Sequence, residues 1–191
     1  MSGKLVSVLA EKDGKYKRFE LPVSYAPDMS ELEGYVVSGV SREDGDYCPP
    51  LSFLSNDVEL PKIAAFPKKL DDLNAFLLKW TTLSEEEQKT TVALIEHDGG
   101  YWLEALESAE SGEAFITDVV YYPYDEASSD KALGEYYFDR WHDDSDVAES
   151  KIGFGVVRDY VDYEKFGRDV RLNGCDGFWS DLYGRWVSKV I

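Results

Sequence analysis

Residues 70–112, "LDDLNAFLLKWTTLSEEEQKTTVALIEHDGGYWLEALESAESG", decide the fold, because here the apolar pattern changes from the alternation of strands to the period of helices. Leu70, Leu73, Leu77 and Trp80 recur on one helical face. Ser84, with Glu87 three residues on, is a capping box that starts a second helix running to about Glu96. "HDGG" breaks it. Trp102, Ala105, Leu106 and Ala109 then fall at i, i+3, i+4 and i+7, which buries that face and puts Glu104 and Glu107 on the opposite side, and Gly112 stops the helix. Residues 61–114 are expected to form a small helical domain with a carboxylate-lined outer surface.

On the amino-terminal side the pattern is sheet. "KLVSVLA" and "YKRFEL" alternate around an Asp13-Gly14 hairpin signal, and "GYVVSGV" (34–40) is a third strand. Gly, Asp and the Pro49-Pro50 pair mark a loop before residue 60. On the carboxy-terminal side, "AFITDVVYYPY" and "KIGFGVVRDY" read as strands, and "SSDKALGEYYFDRW" and "DYEKFGRDVRLNG" as helices, the second from Asp162 to a stop at Gly174. The expected class is α+β, an elongated chain of three small domains: 1–60 β-rich or mixed, 61–114 helical, and 115–191 mixed α/β.

Charge is the dominant compositional fact. The 191 residues hold 38 acidic and 20 basic side chains, a formal net charge of −18, and 43% are apolar, so the chain has material for a core. Solubility of a small domain needs a net charge of roughly 2–8 in magnitude, so the excess calls for another reason. From Thr90 to Asp130 there are ten carboxylates and no Lys or Arg. Nucleic acid and anionic membranes are disfavoured as direct partners, and a basic partner is favoured. No apolar run in "MSGKLVSVLAEKDGK" or beyond suits a signal sequence or a bilayer span, and Cys48 and Cys175 alone fit a reducing compartment, so a soluble cytoplasmic protein is expected.

Catalytic and metal chemistry find little to work with. His97 and His142 with two distant cysteines give no zinc spacing, and no nucleophile elbow is present. "HDDSDVAE" (142–149) offers hard oxygen donors but lacks the Gly of an EF-hand loop, which favours a solvated acidic loop. "GFG" (153–155) lacks the spacing and Lys of a phosphate loop. The aromatics, Trp179 and Trp186 among them, suit core or subunit packing better than base stacking, which requires a positive groove. No cofactor and no metal are expected.

Duplex DNA carries one charge per about 1.7 Å of axis, so a net charge of −18 equals that of roughly 30 Å of duplex, and two chains together that of roughly 60 Å. A polyanion of that density can imitate DNA. "YVDYEKFGRDVRLNGCDGFW" (160–179) resembles the segment near the end of the ArdA antirestriction proteins, with Val170 where that family has Leu. "LDDLNAFLLKWTTLSEEEQKTTVALIEHDG" (70–99) and "LEALESAE" (103–110) are similar to its helices, and "FELP" (19–22) and "YVVSGV" (35–40) add to the likeness, which covers about residues 60–180. The resemblance implies a three-domain homodimer without catalytic activity, carried by conjugative elements and phages. It would imitate bent B-form DNA and block type I restriction-modification enzymes at the DNA groove of their methyltransferase core.

On this reading the partner-binding surface comprises Glu85, Glu86, Glu96, Glu104, Glu107, Glu110, Glu113, Asp118, Asp125, Glu126, Asp130, Asp139, Asp143, Asp144, Asp146 and Glu149, and the dimer forms through the third domain at Tyr121, Tyr122 and Tyr124. Two other functions compete. An acidic module for another basic protein, such as an immunity protein, shares the charge without the DNA-like spacing. A two-carboxylate hydrolase would need a pocket in which one Asp or Glu has a strongly shifted pKa.

Overall fold

A computed structural model describes residues 6–41, 67–98, 101–143, 158, 160–173 and 177–189. The fold is α+β, with two three-stranded antiparallel sheets and helices after each first strand pair or strand. The chain divides into two compact units, Met1–Gly112 and Glu113–Ile191. The boundary expected at 60/61 lies outside the described residues, and the one expected at 114/115 compares with a division at 112/113.

In the first unit, β1 (Val6–Lys12) and β2 (Lys15–Leu21) are joined by Asp13 and Gly14, both at positive φ (53° and 73°), the type I′ geometry that the Asp-Gly pair favours. β3 (Val36–Ser41) pairs with the other side of β1, giving the order β2-β1-β3. Val6, Val8, Ala10, Phe19 and Leu21 bury one face of this sheet, as the alternation requires. A short helix, α1 (Ala26–Ser30), follows β2. At five residues it is too brief to leave a periodic signal in the sequence.

Among the described residues three further helices follow: α2 (Leu70–Trp80), α3 (Glu85–Asp98) and α4 (Trp102–Glu110). The four expected positions on α2 and the four on α4 are all buried, and Phe76 lies edge-on to Trp102 at 5.0 Å. Sheet and helices share polar bonds as well. Val37 N–H donates to the Lys68 carbonyl (2.8 Å) and Leu70 N–H to the Tyr35 carbonyl (3.1 Å). The buried Asn74 amide accepts from Val23 N–H at 2.8 Å and donates to Val23 O at 3.0 Å.

The capping box forms as expected: Ser84 N–H donates to Glu87 Oε2 at 2.6 Å and Glu87 N–H to Ser84 Oγ at 3.3 Å. Hydrogen bonding of its carboxylate by Ser84, through the side chain first and the backbone N–H second, holds the Glu87 carboxyl below its ordinary 4.5. A depressed folded value means that the contribution is complete above 4.5 and is lost as pH falls through the folded value. Glu87→Gln, which keeps an acceptor but does not titrate, should flatten that part of the acid unfolding curve measured by circular dichroism. An unchanged curve would remove Glu87 from the acid response.

In the second unit, β4 (Ala114–Val120), β6 (Arg185–Lys189) and β5 (Gly177–Ser180) form a sheet in the order β4-β6-β5. α5 (Glu126–Asp143) and α6 (Tyr163–Asn173) are the two expected helices. Val119, Leu133, Tyr137 and Trp186 make the core, with Phe166, Val170 and Trp179 packed against it, and Trp186 Nε1–H donates to Tyr137 Oη at 3.1 Å. Two glycines set the approach of the helices. A Cβ on Gly167 would collide with the Asp130 carbonyl oxygen, and one on Gly134 with that of Tyr163. Of the strand expected at 151–160 only Arg158 and Tyr160 are described, in helical and turn conformation. The β5–β6 hairpin was not foreseen.

Candidate acidic interaction surface

α4 carries an exposed row of carboxylates. Its buried side takes Trp102, Ala105, Leu106 and Ala109, which leaves Glu104, Glu107 and Glu110 in solvent, separated by three residues and so by rises of about 4.5 Å. Lys79, in the last turn of α2, reaches this row: its Nζ lies 3.0 Å from Glu107 Oε1 and 3.6 Å from Glu110 Oε2. Hydrogen bonding to Glu107 raises the Lys79 pKa, so this cation stays charged. Glu104 is exposed and makes no ion pair among the described residues.

α3 opens with Glu85, Glu86 and Glu87, where carboxylates favour the positive end of the helix dipole. Glu87 serves the cap, while Glu85 and Glu86 are exposed and each sits 2.9 Å from Lys89 Nζ. Bonds to Glu85 first, then Glu86, raise the Lys89 pKa. Glu96 is half-buried near the other end of the helix. Part of this acidity therefore builds helices, and two lysines within it neutralise part of the rest.

In the second unit Glu113, just before β4, and Asp118, on β4, are exposed. Asp125 caps α5, accepting from Ser128 N–H (3.1 Å) and Ser128 Oγ–H (2.6 Å), which holds its pKa down. Glu126 is exposed and 3.9 Å from Arg171. Asp139 is exposed and paired with Arg158. Asp143 ends α5, and Asp144, Asp146 and Glu149 lie outside the described residues.

Asp130 does not lie on the surface. It is 3% exposed, and its carboxylate receives Arg171 Nε at 2.7 Å and the Arg171 terminal amine at 2.9 Å. A buried carboxylate needs such a partner, and α6 supplies it across the glycine crossing. Tyr121 is half-buried and stacked on Trp179 at 5.2 Å, whereas Tyr122 is exposed and Tyr124 fully so.

A cleft of about 310 Å³ beside α5 is lined by Glu135, Asp139, Arg158 and Tyr163. The carboxylates with displaced pKa values among the described residues, Glu31, Glu87 and Asp125, are all displaced downward by hydrogen bonds. None of the three lines this cleft, and a general acid requires the opposite displacement. Among the described residues no three His, Cys, Asp or Glu side chains converge as metal ligands would, and no helix is long and apolar enough to cross a membrane.

Sequence spacing could not have found Lys79 or Arg171 as neutralising residues, since both lie outside the base-free stretch they act on. Formal charge divides almost evenly: 21 acidic and 11 basic residues in Met1–Gly112, 17 and 9 in Glu113–Ile191. No protein-family model, curated protein or solved structure matches this chain, so its charge distribution and its own geometry carry the functional reading.

Proposed function

We propose that the protein is an antirestriction protein that imitates B-form DNA and inhibits type I restriction-modification enzymes by occupying the DNA-binding groove of their methyltransferase core. The observation that carries this reading is the exposed row Glu104, Glu107 and Glu110 on α4, set within a charge of −18 that both units share. A row of flexible carboxylates a few ångströms apart can meet the Lys and Arg side chains that otherwise hold phosphates. It gains the same counterion release. Two chains, joined through the exposed Tyr122 and Tyr124 of the second unit, would double the charged length.

Binding is collective on this mechanism. Exposed pairs are worth about 0–1 kcal/mol each and are screened over about 8 Å at physiological salt. Glu104→Gln alone should change inhibition less than about threefold, whereas neutralising Glu104, Glu107, Glu110 and Glu113 together should weaken it more than about tenfold in a restriction-protection assay. Abolition by the single change would point to a specific site instead.

The decisive experiment titrates the protein into a type I methyltransferase core already bound to labelled duplex. Complete displacement, no ternary complex and a steep loss of affinity with salt are expected, because both ligands neutralise the same cations. A stable ternary complex, or displacement that plateaus with DNA still bound, would overturn the proposal. The pairing of Glu85, Glu86, Glu107 and Glu110 with lysines favours a second reading, an acidic module for another basic protein. That module would leave the methyltransferase untouched.

A further inference from the structure

Among the described residues β2 is an edge strand. In the order β2-β1-β3 one side of it has no strand neighbour among the described residues, whereas the outer side of β3 is met by the backbone of Lys68–Leu70. An open edge is a row of unpaired N–H and C=O groups, and proteins usually cover, shorten or charge it. β2 runs seven residues without proline, in unbroken register with β1 from Val6↔Leu21 to Lys12↔Lys15. It also lies in basic sequence: Lys12 to Arg18 holds four basic residues and one acidic, which reduces there the long-range repulsion between two chains of charge −18.

We propose that this edge pairs antiparallel with β2 of a second copy, about a two-fold axis through Phe19, to form a six-stranded sheet. The register follows from charge. A two-fold axis normal to the sheet sets residues of the same face opposite each other, so it must pass through one residue. An axis at Lys17, Arg18 or Glu20 sets that residue against its own like charge. An axis at Phe19 sets Arg18 opposite Glu20 of the partner subunit, and Glu20 opposite Arg18 of the partner subunit, so two attractive pairs form at once. Both residues share the face opposite Phe19, since Arg18 is opposite Leu9 and Glu20 opposite Ser7, while Phe19 is opposite the inward Val8; Arg18 is exposed there and Glu20 half-buried. Lys17 is already held by Glu31 at 2.7 Å, which takes one like charge out of the contact. This contact is independent of Tyr122 and Tyr124 and of the mimic reading.

Charge exchange tests it on the full chain. Sedimentation of the wild type between about 1 and 100 μM should show self-association. Arg18→Glu and Glu20→Arg should each weaken it by about tenfold, because two cross-strand pairs turn from attraction to repulsion together. The double exchange R18E/E20R should restore it. Amide exchange should show β2 protection that falls on dilution. Association unchanged in both single variants, no recovery in the double, or a wild type that stays monomeric would overturn the proposal. If Tyr122→Ala/Tyr124→Ala abolishes all association while Arg18→Glu does not, the edge is guarded by its lysines rather than paired. Displacement of DNA from the methyltransferase by a strictly monomeric chain would overturn this contact and leave the functional proposal standing.

Discussion

Gly167→Ala is expected to destabilise residues 113–191 by about 3 kcal/mol or more, at or beyond the top of the usual range for overpacking. The reason is the nature of the obstacle. The added methyl group would lie well inside contact distance of the Asp130 carbonyl oxygen, which belongs to α5 and cannot rotate away as a side chain can. To admit it, α6 must move off α5, which also separates Phe166 and Val170 from the core they pack against. Gly39→Ala is the control, because a Cβ there meets nothing within 4 Å. Thermal melts followed by near-ultraviolet circular dichroism should show a large fall for the first variant and almost none for the second. A Gly167→Ala protein that melts with the wild type would mean that the two helices do not cross as closely as described.

The second large effect concerns the ion pair at the same crossing. Arg171→Met should cost about 3–5 kcal/mol, because it leaves the Asp130 carboxylate buried without its cation. The Asp130→Leu/Arg171→Met double variant should recover much of that loss, since replacing both partners removes the uncompensated charge as well as the bond. Arg171→Lys should not substitute, because the pair uses the guanidinium through both Nε and a terminal amine. Urea unfolding of the four proteins gives the comparison. If the single Arg171→Met change costs under 1 kcal/mol, Asp130 is reached by water and its burial argument fails.

α2 and α4 are legible because each buries one face, Leu70, Leu73, Leu77 and Trp80 on the first and Trp102, Ala105, Leu106 and Ala109 on the second, while α3 is marked by its capping box at Ser84 and the end of α4 by Gly112. The Asp13-Gly14 turn was legible because few other pairs tolerate two positive φ angles. The role of Asp130 was not. In the sequence it is one of ten carboxylates in a stretch without bases, and its partner lies 41 residues downstream on a helix whose approach depends on two glycines. Likewise Lys79 reaches Glu107 across 28 residues, so a stretch that reads as unneutralised receives cations from outside itself. The β5–β6 hairpin escaped for another reason. "GFWSDLYGRWVSK" does alternate around Gly184 (φ 59°), but its aromatic residues fit core packing as well as strand spacing, so the pattern alone does not single out a hairpin.

Asn74 governs the order in which the first unit can assemble. Its amide closes both polar groups of Val23 across a separation of 51 residues, and the neighbouring bonds of Lys68 and Leu70 complete the outer side of β3. During synthesis the β1–β2 hairpin emerges long before these partners do. It can form early from local contacts, but Val23 and the β3 edge stay open to water until α2 has left the ribosome. A nascent chain whose β3 has emerged while α2 has not therefore presents an incomplete sheet to whatever other strands are nearby, and the arrival of Lys68, Leu70 and Asn74 ends that exposure.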